Sequence, residues 1–163
     1  MKTPELLILA VGNPSRGDDA LGPLFLEQLA ARKEQGGHWD EIEFLTDFQL
    51  QIEHAVDLEN RALVLFVDAS VSCPPPYQLT RLQAARDTSY TSHALTPAAV
   101  LHVYEQINGK PSPPAFLLAI RGERFELGEA LGQVAEHNLT AALRFAARLL
   151  ASWNAERWMR FVG

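Results

Sequence analysis

Leu6-Leu-Ile-Leu-Ala-Val11, closed by Gly12-Asn13-Pro14, decides the fold. Six apolar residues without alternation fit a strand buried on both faces, and the Gly-Asn-Pro that follows ends it in a turn. Two further runs share this character: Ala62-Leu-Val-Leu-Phe-Val67, ending at Asp68, and Ala115 to Ile120. Helical patterns lie between them. From Leu21 to Glu34, residues Leu21, Leu24, Phe25, Leu26, Leu29 and Ala30 recur at helical spacing, and Gly36-Gly37 predict the stop. Gln49 to Leu58 reads as a helix with Leu50, Ile52, Ala55 and Val56 on one side. Thr96 as cap and Pro97 in the first turn start a helix that runs to Ile107. Leu127 to Trp153 carries a long amphipathic stripe that includes Leu131, Val134, Leu139, Leu143 and Leu150. Glu41 to Thr46 reads as an edge-like strand, and Tyr77 to Leu82 as a short strand after the Pro74-Pro75-Pro76 loop. Fully apolar strands alternating with helices predict a three-layer α/β/α domain built on a mainly parallel twisted sheet.

The chain of 163 residues fits a single domain over 1–163, with no repeat and no linker. Lys and Arg number 14 against 20 Asp and Glu, a net charge of -6 without any basic run, which argues against nucleic acid or an anionic membrane as partner. No apolar stretch approaches the ~18 residues needed to span a bilayer. Met-Lys-Thr-Pro-Glu5 leads into the first strand without a cleavage site for a signal peptide, so the expected location is the cytoplasm. Cys73 is the lone cysteine, which excludes an internal disulfide and a thiolate zinc cluster.

In parallel sheets the functional groups gather at the carboxyl ends of strands. Three segments bring polar residues there: Gly12 to Gly22, Asp68-Ala69-Ser70, and Ser92-His93-Ala94-Leu95-Thr96-Pro97. Gly12 and Gly17 have the spacing of a phosphate-binding loop. The Lys and Ser/Thr that must follow are replaced by Asp18 and Asp19, which repel a phosphate. A cation is the better guest. Taken singly, Asp18 and Asp19 read as acids at a helix start, Asp68 as a turn acceptor and His93 as a structural histidine. Taken together, carboxylates and an imidazole from separate loops on one rim suit a divalent transition ion. His54, between helical neighbours Glu53 and Asp57, reads as part of a solvated face, and His38, His102 and His137 have no partner pattern. No G-x-S-x-G elbow exists, and Cys73 has no nearby base. Arg121-Gly-Glu-Arg124 reads either as a substrate-facing loop or as a polar turn.

These motifs resemble one known family, the endopeptidases that mature the large subunit of [NiFe] hydrogenases. The likeness rests on Gly12-Asn-Pro-Ser-Arg-Gly-Asp-Asp-Ala-Leu-Gly22, on Leu65-Phe-Val-Asp68-Ala, and on Ser92-His93-Ala-Leu-Thr-Pro97, in that order. It extends from about Leu6 to Gly122 and includes the final amphipathic helix. Thr46 to Leu58 resembles the subgroup serving NAD-reducing, bidirectional hydrogenases. The resemblance implies a phosphorylase/hydrolase-like α/β fold. It also implies a peptidase that removes a short C-terminal extension from the nickel-loaded large-subunit precursor. The metal-contacting and catalytic positions then fall on Asp19, Asp68 and His93, which leaves Asp18 to shape the loop or cap the helix. The family carries Glu or Asp at the position of Asp19 and often Gly where Ala20 stands. No cofactor of the protein's own is implied, the nickel belonging to the substrate, and the expected state is a monomer. The same three residues also suit a self-contained zinc or manganese metallohydrolase, or a non-catalytic chaperone that checks the precursor for nickel.

Overall fold

The structure, a computed structural model, describes residues 2–34, 39–86 and 95–163. The first apolar run forms β1 (Leu6–Val11), buried along its whole length. A 3₁₀ turn (Gly17–Ala20) leads into α1 (Leu21–Glu34), and β2 (Ile42–Asp47) follows. Next come α2 (His54–Asp57), β3 (Leu63–Ser70) and β4 (Tyr77–Arg81). The chain continues through α3 (Pro97–Asn108), β5 (Ala115–Arg121), α4 (Gln133–Ala151) and α5 (Ala155–Met159).

The five strands form one sheet in the order β2-β1-β3-β5-β4. β1 pairs in parallel with β2 and β3, β3 pairs in parallel with β5, and β4 runs antiparallel to β5. Successive side chains leave opposite faces, so each buried strand feeds two cores. One face packs Leu6, Ile8, Leu65 and Phe116 against α1, α4 and Trp158 of α5. The other packs Leu7, Leu9, Val64 and Phe66 against Ala55 and Leu58 of the α2 region and Val100 and Tyr104 of α3. The result is the expected α/β architecture, a mostly parallel sheet flanked by helices on both sides. No helix among the described residues is long and apolar enough to cross a membrane.

Local chemistry sets several boundaries. The Thr96 hydroxyl accepts from the Ala99 amide at 3.1 Å, with Pro97 at the first helical position, as the sequence predicts. Gly109 closes α3 in the left-handed region at φ 63°. Three expectations need correction. β3 runs on to Ser70 instead of ending before Asp68, because Asp68 and Ser70 pair with Ala119 and Arg121 of β5. The helix expected over Gln49 to Leu58 shrinks to α2, with Ile52 and Val56 exposed. Its upstream turn does not propagate because the Gln51 amide donates to the His54 ring at 2.8 Å. The long helix expected from Leu127 to Trp153 starts only at Gln133, since Gly128 has φ 87° and the Gly132 amide is taken by Asp18. The predicted stop at Gly36-Gly37 lies outside the described residues.

α4 and α5 are joined by a tight break. Asn154 caps α5 by accepting from the Arg157 amide at 2.8 Å, and the Arg157 guanidinium covers the Arg148, Leu149 and Ser152 carbonyls at the end of α4. Trp158 is fully buried; its indole donates to the Leu149 carbonyl at 3.1 Å and its ring meets Phe116 edge-on at 5.4 Å. Trp158→Ala therefore costs about 4 kcal/mol of unfolding free energy, measured by urea denaturation. A loss below about 1 kcal/mol would show that α5 is not part of the core.

Candidate active site

From β1 the chain crosses to β2 on one side of the sheet and then returns to β3 on the other. Loops after β1 and at the end of β3 therefore diverge, and a crevice opens at their carboxyl ends. The conformation of the β1 loop depends on glycine. Gly12 adopts φ 151°, and a Cβ there would collide with the Asp19 carbonyl oxygen. Gly17 has φ 53°, and a Cβ there would collide with the Arg124 carbonyl.

The consecutive acids of this loop part company. Asp18 is 1% exposed. Its Oδ2 accepts from the amides of Glu123 at 2.7 Å and Arg124 at 3.0 Å, and its Oδ1 from Gly132 at 2.9 Å. Burial works against this charge, but the three amides and the nearby Arg124 guanidinium outweigh it and hold the Asp18 carboxyl below its ordinary range. Asp18 thus ties the β1 loop to the chain beyond β5. Asp19 instead turns to the crevice, where its Oδ2 accepts from the Asn13 amide at 2.7 Å.

Asp68 reaches the same crevice from β3. Ala10 is in register with Val67, so Asp68 lies beside the end of β1. Asp19 and Asp68 line one pocket of about 420 Å³, with Phe48, Gln49 and Leu50 from the segment after β2 and Leu95, Thr96 and Pro97 at the start of α3. Among the described residues no Lys or Arg lines it. A contiguous pocket of about 530 Å³ shares Asp19, Phe48 and Gln49 and adds Asn13, Arg16, Asp47 and Gln51. Burial pushes the Asp68 carboxyl up to about 7; the Ala69 amide, 2.8 Å from Oδ1, opposes this, and the Asp19 charge adds to it. A carboxyl near 7 exchanges a proton readily at neutral pH, which suits general acid–base work, and two uncompensated acids also suit a cation.

His93 lies outside the described residues, as does His38. Among the described residues no group of three His, Cys, Asp or Glu side chains is placed to hold a metal ion. Arg121 uses one guanidinium nitrogen to hold the Cys73 carbonyl at 2.9 Å, and Cys73 is buried, its thiol 3.7 Å from the Ala119 carbonyl. His54 corrects the sequence reading: it is buried, not solvated, and its Nε2 stands 3.3 Å from Asp47 Oδ2. The sequence signal that could have revealed this was the acid seven residues upstream at the end of β2, not the helical neighbours Glu53 and Asp57.

Asp18→Ala leaves three amides without their charged acceptor and costs about 3 kcal/mol near pH 7. Asp18's contribution is present above the ordinary carboxylate range and is lost as pH falls through its depressed pKa, so the deficit shrinks in acid. Asp68 has the opposite sign. Its folded form keeps a proton that the unfolded chain has lost, so it lowers stability as pH rises from about 4 toward 7. Asp68→Asn should match the parent's melting temperature at pH 4 and exceed it at pH 8. Equal melting temperatures at pH 8 would show that the site is not desolvated.

No known family profile matches the chain, and no curated protein matches it in sequence. Its fold does have close counterparts. A [NiFe] hydrogenase maturation protease HycI from Thermococcus kodakarensis superposes with a TM-score of 0.69 at 19% identity, over 91% of this chain and 94% of that one. The hydrogenase maturating endopeptidase HybD from E. coli gives 0.66 at 24% identity, over 93% of each chain. An endopeptidase from Escherichia coli gives 0.67 at 25% identity, over 91% of this chain and 92% of that one. In architecture, nearly the whole chain is similar to the maturation proteases of [NiFe] hydrogenases.

Proposed function

We propose that the protein is a peptidase that removes a short C-terminal extension from the nickel-loaded precursor of a [NiFe] hydrogenase large subunit. The observation that carries this reading is the pairing of Asp19 and Asp68 in one pocket that, among the described residues, no Lys or Arg lines. That pocket sits at the sheet's switch point, in a fold shared with maturation proteases. The three sequence motifs of the resemblance support it as well, since two of them supply this pair and the third supplies His93.

In this reading Asp19, Asp68 and His93 contact the nickel that the precursor carries, so cleavage follows only correct metal loading. The protein holds no metal of its own and acts as a cytoplasmic monomer. Asp68 does the proton work: as the carboxylate it takes a proton from the attacking water, and as the acid it returns one to the departing amine. Before the nickel arrives, burial holds its carboxyl pKa near 7, so its proton is exchangeable at neutral pH. Asp19 raises that pKa and supplies the second negative group that favours a cation beside the scissile bond. The stretch from Thr46 to Leu58 resembles the subgroup that serves NAD-reducing, bidirectional hydrogenases, and the precursor of such a hydrogenase is the substrate in this reading.

The test is incubation with nickel-loaded precursor and measurement of the product mass. The expected result is loss of a short C-terminal peptide, slowed about a hundredfold or more by Asp19→Asn, Asp68→Asn and His93→Ala. A precursor that binds but keeps its mass would overturn the reading in favour of a chaperone. Purified protein that carries stoichiometric metal and cuts unrelated peptides would overturn it in favour of a self-contained metallohydrolase.

A further inference from the structure

The wall of the active-site pocket contributed by Phe48, Gln49 and Leu50 belongs to neither a helix nor a strand. Leu50 pins its middle in the core, while Phe48 and Gln49 are exposed. Two side chains anchor its ends. Asp47 Oδ1 accepts from the Phe48 amide at 2.7 Å, and His54 Nδ1 accepts from the Gln51 amide at 2.8 Å. The two anchors face each other, with His54 Nε2 3.3 Å from Asp47 Oδ2. Because Nδ1 accepts, the proton of the neutral ring sits on Nε2, the nitrogen that stands beside the carboxylate. The Asp47 carbonyl in turn accepts from the Gly12 amide at 3.1 Å, at the root of the loop that carries Asp19.

We infer that Asp47 and His54 form a latch that positions the pocket wall for an incoming polypeptide. His54 is a positioning residue: it acts on the substrate through the wall it holds and not through the reacting atoms. The inference rests on the peptidase reading, and it names the part of the site that governs substrate binding. With the latch broken, Phe48 and Gln49 sample other conformations, and the free energy of ordering them is lost from substrate binding. The chemical step, set by groups on other loops, is spared.

Steady-state cleavage of the nickel-loaded precursor tests this. His54→Ala should raise KM about tenfold and leave kcat within about twofold. His54→Asn keeps an oxygen that accepts from the Gln51 amide and should restore about half of that loss on a logarithmic scale. Asp47→Asn, at the more exposed partner, covers the case in which His54→Ala fails to fold; its KM should rise about threefold. Unchanged KM in all three, a fall in kcat alone, or His54→Asn no better than His54→Ala would overturn the latch. Nuclear magnetic resonance of the unmodified protein separates this from the peptidase reading. His54 should carry its proton on Nε2, and the Gln51 amide should exchange more slowly than exposed loop amides. The opposite tautomer, or a fast-exchanging Gln51 amide, overturns the latch whether or not the precursor is cut. A protein that cuts no precursor but shows both signatures overturns the peptidase reading and leaves the latch standing as a loop anchor.

Discussion

Three backbone amides converge on the Asp18 carboxylate, and the geometry of the site depends on that contact. The amides come from residues more than a hundred positions downstream, on the connection between β5 and α4. They lock the 3₁₀ turn against the far half of the sheet, and Gly17 lets the turn approach the Arg124 carbonyl closely enough for this to happen. Hydrogen bonds to a buried, ionised acceptor are stronger than neutral ones. Once Asp18 is fixed, the next side chain has little choice, and Asp19 emerges on the crevice side with its carboxylate steadied by Asn13. Two adjacent identical residues are therefore placed differently: one satisfies backbone donors, the other lines the pocket.

Asp68 shows the complementary arrangement. It stands inside a strand, flanked by the ends of β1 and β5, where burial disfavours its charge. A fold selected for stability alone would place an apolar side chain there. Retaining an acid beside another acid destabilises the folded chain at neutral pH and leaves a group poised to exchange protons or to receive a cation. Such departures from the stability optimum concentrate at functional sites. The crevice at the switch point gives this pair an opening, and the anchored segment after β2 gives it a wall.

Much of this was legible in the sequence because it is local. The runs Leu6 to Val11, Ala62 to Val67 and Ala115 to Ile120 declare buried strands by their unbroken apolar character, and Thr96-Pro97 declares a helix start by capping chemistry. Polar segments at the carboxyl ends of strands were readable from the sequence, and Asp19 and Asp68 from two of them line one pocket. What depends on distant partners was not legible. Nothing in Asp18-Asp19 tells which acid is buried, because the deciding amides belong to Glu123, Arg124 and Gly132. Asp68 lies within its strand because Ala119 offers it a ladder partner. The segment from Gln49 to Leu58 has helical spacing, yet His54 takes the Gln51 amide and faces Asp47, so an apparently solvated histidine is buried. The break at Gly132 has the same origin as the Asp18 contact.

The central claim is that Asp19 and Asp68 share one pocket and that Asp68, disfavoured as an anion by burial, feels the Asp19 charge. The most direct test is the titration of the Asp68 side-chain carboxyl carbon by nuclear magnetic resonance, in the unmodified protein and in Asp19→Asn. The account predicts a midpoint at about 7 in the unmodified protein and a lower one when the Asp19 charge is removed. A midpoint in the ordinary carboxylate range, near 4, that ignores the Asp19 substitution would contradict it.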